Sequence, residues 1–579
     1  MTDKSIKPKK KLAPKQAVVV IHGMGQQKPM ETLRSMVRVL WETDPSLTDN
    51  KAKATARHDE PPKSDEGTRW NKVWLVPDTR TGSKELARIT TPAADNGLRT
   101  DFYEFYWADI MEGTTKDHLT AWISGLLLRW PHQVPKDVIS AWLVLWATTL
   151  FGIAMAINGF VSVLGGGDPS PWLSSDHEVI WRVLLTVGTL AIILFNIDRL
   201  VKRSQPQRLR FWDVLFAITV PIGVALLIGR LVPFEVIASA GFLSFAATFL
   251  VGLLIQQFML PYFGDVARYV RAGPDTVAKR AEVRRRGLEL LRALHDPVRR
   301  NDAFNKLEAM DADQARPYER IVIVAHSLGT IVAYDLLRHF WAERGPVSGG
   351  VIDKAGEQAL KKMDAYIKEH APDGRILETF DLAKFRVLQR EVSEALANPM
   401  GGWLITDLVT LGSPLTHAEF LLANDEPELD EWKWEGLVPT CPPTPDPTEQ
   451  SIMYQPQGSK TSFARHTSLF SAVRWTNICD THSLILRGDI ISGLLDKTMG
   501  EGIADYDVAI HLKGLRNRIF THTSYWDATA SSTLKNNDRA TPAHAHSNVK
   551  DPHIKLLREG VNIDEDISAK RRATKELVV

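Results

Sequence analysis

Short β-branched runs, separated by stretches of quite different character, set the rhythm of this chain. Ala17-Val-Val-Val-Ile21, Ile321-Val-Ile-Val324, residues 403–411 (W-L-I-T-D-L-V-T-L) and residues 473–479 (V-R-W-T-N-I-C) have the composition of buried strands. Residues 72–77 and 101–107 read as two further strands, the second alternating charged and aromatic positions. Between them the period changes to that of a helix. Met30, Leu33, Val37 and Leu40 fall on one face of residues 30–41, and 351–370 and 380–396 are amphipathic. Residues 275–316 are charged and helical. Strands interleaved with helices predict an α/β architecture with a mostly parallel sheet flanked by helices.

Residues 138–255 follow another pattern. The runs 138–164 and 236–255 carry no charge, 179–197 is broken only by Arg182, and 211–233 contains Pro221 with Asp213 and Arg230 near its ends. Each is long enough to cross a hydrocarbon core of ~30 Å at ~1.5 Å per residue. A four-helix transmembrane insertion over 138–263 is therefore expected. It divides the α/β domain into an N-terminal part, 17–137, and a C-terminal part, 264–527. Lys and Arg crowd 199–210 and the segment after 264, while 165–178 has neither. By the positive-inside rule both flanking parts face the cytoplasm, as an even number of crossings requires. The expected location is a bacterial inner membrane. The lysine-rich residues 1–16 precede an apolar run too short for a signal peptide and read as a disordered cytosolic tail. Residues 528–579 read as a polar C-terminal tail, and the proline-rich 424–470 as a loop over the site.

Composition narrows the chemistry. A net charge of +1 supplies no field for nucleic acid, and two cysteines make neither a disulfide framework nor a metal-ligand pattern. No metal or organic cofactor is expected. Arg320 to Asp335 holds the richest local signal: a β-branched strand, then Ala325-His326-Ser327-Leu328-Gly329, then a helix. A turn that sharp needs small residues two before and two after its apex, and Ala325 and Gly329 qualify. It would leave the Ser327 hydroxyl exposed beside the first N–H groups of the helix, the context of a nucleophile elbow. The other strand, 17–21, runs into His22-Gly23-Met24-Gly25, where glycines let backbone N–H groups approach a carbonyl. No Gly-Lys-Ser/Thr follows, which argues against a phosphate loop.

These segments resemble the α/β-hydrolase superfamily, in its lipase and esterase branch. That resemblance implies an α/β-hydrolase fold and a chain order of Ser, acid, His, with both partners beyond Ser327. It also implies an oxyanion hole built from the N–H groups of Met24 and Leu328. The Leu-Gly-Ser-Pro piece at 411–414 resembles the supporting strand after the elbow helix. After strand 473–479, either Asp480 or Asp489 could serve as the acid. The Gly488-Asp489-Ile490-Ile491 turn resembles the acid loop of bacterial lipase-like membrane hydrolases and favours Asp489, with Asp480 as the alternative. His522-Thr523-Ser524-Tyr525-Trp526 resembles their histidine loop, and His326 belongs to the elbow, pointing away from the exposed side of Ser327. His482 and His511 lie near or before the acid loop, and His544, His546 and His553 lie in the polar tail. The implied function is a membrane-anchored serine hydrolase acting on an ester of a lipid or acylated substrate. Alternatives are an acyltransferase using the same triad and a non-catalytic membrane scaffold. Oligomeric state is not legible.

Overall fold

A computed structural model describes residues 14–23, 28–43, 71–78, 81–82, 84–94, 98–111, 269–270, 277–295, 318–347, 352–397, 402–481, 488–489, 491–513, 521–527, 529–535 and 552–563. All belong to one compact unit made of Met1–Thr114 and Asp265–Val579. The β-branched runs form its centre. Strands are β1 (Lys15–Ile21), β2 (Trp74–Pro77), β3 (Ala87–Thr90), β4 (Arg99–Phe105), β5 (Arg320–His326), β6 (Ile405–Leu411), β7 (Met453–Tyr454), β8 (Phe463–Ala464), β9 (Arg474–Cys479), β10 (Ala504–His511) and β11 (Ser531–Leu534). Nine of them make one sheet in the order β11-β10-β9-β6-β5-β1-β4-β3-β2. The six from β10 to β4 run parallel. β11 pairs antiparallel with β10 on one edge; on the other β3 pairs antiparallel with β4 and β2 antiparallel with β3, so β2 again runs with the parallel set.

Both faces of the parallel strands are covered, as continuous apolar runs demand. On one face Val18, Val20, Val322, Val324, Val409, Leu411, Ile478, Val508 and Ile510 meet Leu33, Met36 and Val37 of helix Glu31–Val37 and Leu556, Leu557 and Val561 of helix Pro552–Val561. On the other lies the elbow helix, Leu328–Arg344, packed against β5 and β1. Residues 424–470 fold along that helix: Tyr334 donates to the Pro439 carbonyl, Arg338 to that of Leu437 and Trp341 to that of Arg465.

Chain order reverses between β1 and β5. From β1 the sheet grows through β4, β3 and β2 to one side, and from β5 through β6, β9, β10 and β11 to the other. In open parallel sheets such a switch point leaves a crevice beyond the carboxyl ends of the strands. It lies where β1 delivers Gly23 and β5 delivers Ser327.

Two expectations need correction. The fold is α/β with a mostly parallel sheet, but the four-helix transmembrane part has no support: among the described residues no helix is long and apolar enough to cross a membrane. The reason is local. Helix Val277–His295 has 19 residues but carries Arg280, Arg284, Arg285, Arg286 and Arg292. The elbow helix is buried along most of its length but has only 17 residues, with Asp335 and Arg338 among them. The runs within 138–263 lie outside the described residues. The inner-membrane location, which rested on those runs, is withdrawn with them. A second difference concerns the polar tail. Residues 531–534 form an edge strand and 552–561 a helix whose Leu557 and Val561 are buried in the core.

Candidate active site

The turn after β5 is tightly specified. Ser327 adopts φ 54°, ψ −132°, a region that side chains disfavour and that typically costs about 1–3 kcal/mol. Neighbours hold it there: Ser327 N–H donates to the Leu411 carbonyl at 3.0 Å, and its own carbonyl accepts from Thr330 N–H at 2.9 Å and Thr330 Oγ1 at 2.7 Å. Small residues are required around it. A Cβ on Gly329 would lie 2.6 Å from the Ile21 carbonyl oxygen and against that of His22, and one on Gly23 would lie 2.8 Å from Ser327 Cβ. Ala325 pairs with Ile21 in the sheet, so the ends of β1 and β5 approach each other directly.

Three side chains converge, one from the turn after β5 and two from the segments that follow β9 and β10. His522 Nε2 lies 2.8 Å from Ser327 Oγ, and His522 Nδ1 lies 2.8 Å from Asp489 Oδ2. Asp489 Oδ1 accepts from Ile491 N–H at 2.9 Å, and Tyr525 donates to Oδ2 at 2.7 Å. Burial by itself raises the Asp489 carboxyl. The His522 imidazole, then the Tyr525 hydroxyl, outweigh it and hold the group well below the usual carboxylate range. Asp489 is thus an anion set to orient an imidazole and offset its charge, and Ser327 lies at the other imidazole nitrogen.

Asp480, the alternative acid, has other partners. Its carboxylate accepts from Thr521 Oγ1 at 2.8 Å, Lys535 Nζ at 2.9 Å and Ile510 N–H at 3.2 Å, and its carbonyl accepts from Asp489 N–H at 2.9 Å. Asp480 therefore braces both loops, through the residue before His522 and through Asp489 itself. His326 also braces: its Nε2–H donates to the His522 carbonyl at 2.8 Å, and its ring meets Trp526 edge-on at 4.7 Å. His22 Nε2 accepts from Trp107 N–H at 3.2 Å, Trp107 Nε1 donates to the His22 carbonyl at 3.1 Å, and the rings stack. Burial lowers His22 to about 4 and His326 to about 3. Both are neutral at pH 7, so neither sets a positive charge against a protonated His522.

Leu328 opens the elbow helix, so its N–H has no acceptor within that helix. Met24 and Gly25 lie outside the described residues, as do His482, His544 and His546. His511 ends β10, and His553 is buried where its ring meets Ser532 Oγ at 2.7 Å. One expectation about the nucleophile fails. Ser327 is 1 % exposed, not open to solvent, because β1, the elbow helix and the His522 ring enclose it.

Two contributors were read only as members of motifs, with no role of their own. Gly412, at φ 58°, follows β6; a Cβ there would lie 2.7 Å from Tyr525 Cε2, 3.1 Å from Asp489 Oδ2 and 3.2 Å from His522 Nδ1. Its signal was its place in the Leu-Gly-Ser-Pro piece that follows β6. Tyr525 had no signal beyond its place in the histidine loop. Among the described residues no group of His, Cys, Asp and Glu is arranged to hold a metal ion. No protein-family model, curated protein or solved structure matches this chain.

Proposed function

We propose that the chain is a serine hydrolase that cleaves an acyl ester through an acyl-enzyme. The observation carrying this reading is the continuous Ser327–His522–Asp489 hydrogen-bond chain, with 2.8 Å at each step. Ser327 Oγ attacks the carbonyl carbon as His522 Nε2 takes its proton, and Asp489 stabilises the imidazolium. The tetrahedral oxyanion accepts from Leu328 N–H, the first N–H of the elbow helix. Loss of one such donor typically costs about 2.7–4 kcal/mol. His522 then protonates the leaving alcohol, water attacks the acyl-enzyme, and Ser327 is restored.

A lipid substrate was inferred from a bilayer tether and is not carried forward. The ester remains, because the nucleophile and its base require only an acyl carbon. The test is covalent labelling with a fluorophosphonate, followed by peptide mapping. Labelling at Ser327, lost in Ser327→Ala and slowed by about 10⁴-fold or more in His522→Ala, is expected. A folded protein that takes up no label at Ser327 overturns the reading. Since Ser327 is 1 % exposed, a compact probe should label faster than a bulky one.

A further inference from the structure

Tyr525 follows His522 by three residues and is buried against Asp489. Its hydroxyl and His522 Nδ1 approach the same oxygen, Asp489 Oδ2, at 2.7 and 2.8 Å. Two further groups meet the phenol oxygen: the Asp480 N–H at 3.1 Å and the Ser492 hydroxyl at 2.9 Å. A proton inventory sets the direction of every bond. A backbone N–H only donates, an ionised carboxylate only accepts, and a phenol owns one proton. The phenol proton therefore goes to Asp489, which leaves Ser492 as donor to the phenol oxygen. Two donors feed an oxygen that itself donates, and each bond polarises the next toward Asp489.

We propose that Tyr525 is a positioning residue of the hydrolase reaction, fixing the rotation of Asp489 and sharing the negative charge that Asp489 presents to His522. This role presupposes the serine-hydrolase reading above. A carboxylate held by Ile491 N–H on one oxygen and by two donors on the other cannot turn away from the imidazole. Its charge is also divided, so His522 is oriented without being trapped as the imidazolium. The vacancy at Gly412 gives the ring its place, since a Cβ there would meet Tyr525 Cε2. The other titratable groups around this cluster are His22 after β1, His326 on β5, and Cys479 and Asp480 at the end of β9. The two histidines are neutral, and Asp480 is joined to Lys535.

Fluorophosphonate labelling of Ser327 as a function of pH tests the role in the full chain. Tyr525→Phe is expected to slow labelling at neutral pH about tenfold, the typical effect of losing a bond to a charged group. It should also move the acid limb of the profile upward by about half a pH unit, because Asp489 then offers its full charge to His522. Site-specific 3-fluorotyrosine at 525 retains the ring and strengthens the donor, so its acid limb should move downward. It also serves if Tyr525→Phe does not fold. Opposite displacements support the proposal. Labelling of wild type with unmoved profiles in both substituted proteins, whatever the rate, overturns it and leaves the hydrolase reading standing. No label at Ser327 in folded wild type removes both.

Discussion

Ser327 combines two demands that a single residue rarely meets. It occupies a backbone region suited to glycine, at φ 54°, and it presents a hydroxyl 2.8 Å from an imidazole nitrogen. Ser327→Gly should relieve the strain of about 1–3 kcal/mol and lose about 0.5–1 kcal/mol to the more flexible unfolded chain. Measured against Ser327→Ala, which loses the same hydroxyl bond to His522, a net stabilisation of about 1 kcal/mol in urea unfolding is expected, with labelling abolished in both. A Ser327→Gly protein no more stable than Ser327→Ala would show that the turn is not strained. Legibility at this scale was uneven. Ser327 and Gly329 could be read because the constraint is local, between residues two apart. The acid was favoured as Asp489 only through the resemblance of its turn, since Asp480 and Asp489 follow the same strand and differ in what their carboxylates reach.

Elements divide by how much of their signal lies within them. β1, β5, β6 and β9 were legible because strands buried on both faces read as continuous apolar runs. Helix Pro552–Val561 was not, because ten residues with only a few apolar positions resemble a solvated tail until the surface they cover is known. It covers one face of the central sheet: Leu556 and Leu557 are buried, and a Cβ on Gly560 would lie 2.8 Å from Val409 Cγ2. Leu557→Ala should therefore cost about 2–5 kcal/mol in denaturant unfolding, the range for a core truncation. A loss under about 0.5 kcal/mol, the usual surface value, would return this helix to the tail.

Acid stability belongs to the whole molecule, because it sums groups far apart. Burial lowers His22 to about 4 and His326 to about 3 from 6.5, so acidification below 6.5 protonates them in the unfolded chain first and favours unfolding. Burial pushes Glu104 and Asp505 up to about 7 from 4.5 and 3.8. The stabilisation these two contribute is complete below their unfolded values and is lost as pH rises through about 7. Two groups oppose two, so stability should be nearly level between about 4.5 and 6.5. Asp335, Asp407 and Asp489 are all held below 3.8, and their contributions disappear as pH falls through and below that value. Stability should then drop steeply under about pH 4. Glu104→Gln removes one opposing group, and its stability should climb with pH from 4.5 to 6.5. A Glu104→Gln curve parallel to that of wild type would show that Glu104 titrates normally.

The order of residues was enough to establish the α/β alternation, the elbow and its serine, because β-branching, small flanking residues and helical period act between near neighbours. It could not establish what depends on distance through space. Asp489 lies 33 residues from His522, and Ser327 lies 195 residues from it, yet each pair is separated by 2.8 Å. Choosing Asp489 over Asp480, enclosing Ser327, and drawing Gly412 and Tyr525 into the site all follow from how the ends of parallel strands meet along one edge of the sheet. Apolar length alone suggested a membrane, and the folded helices among the described residues combine length with charge or burial with shortness. A run of side chains carries its hydrophobicity with it, but folding determines what that hydrophobicity faces.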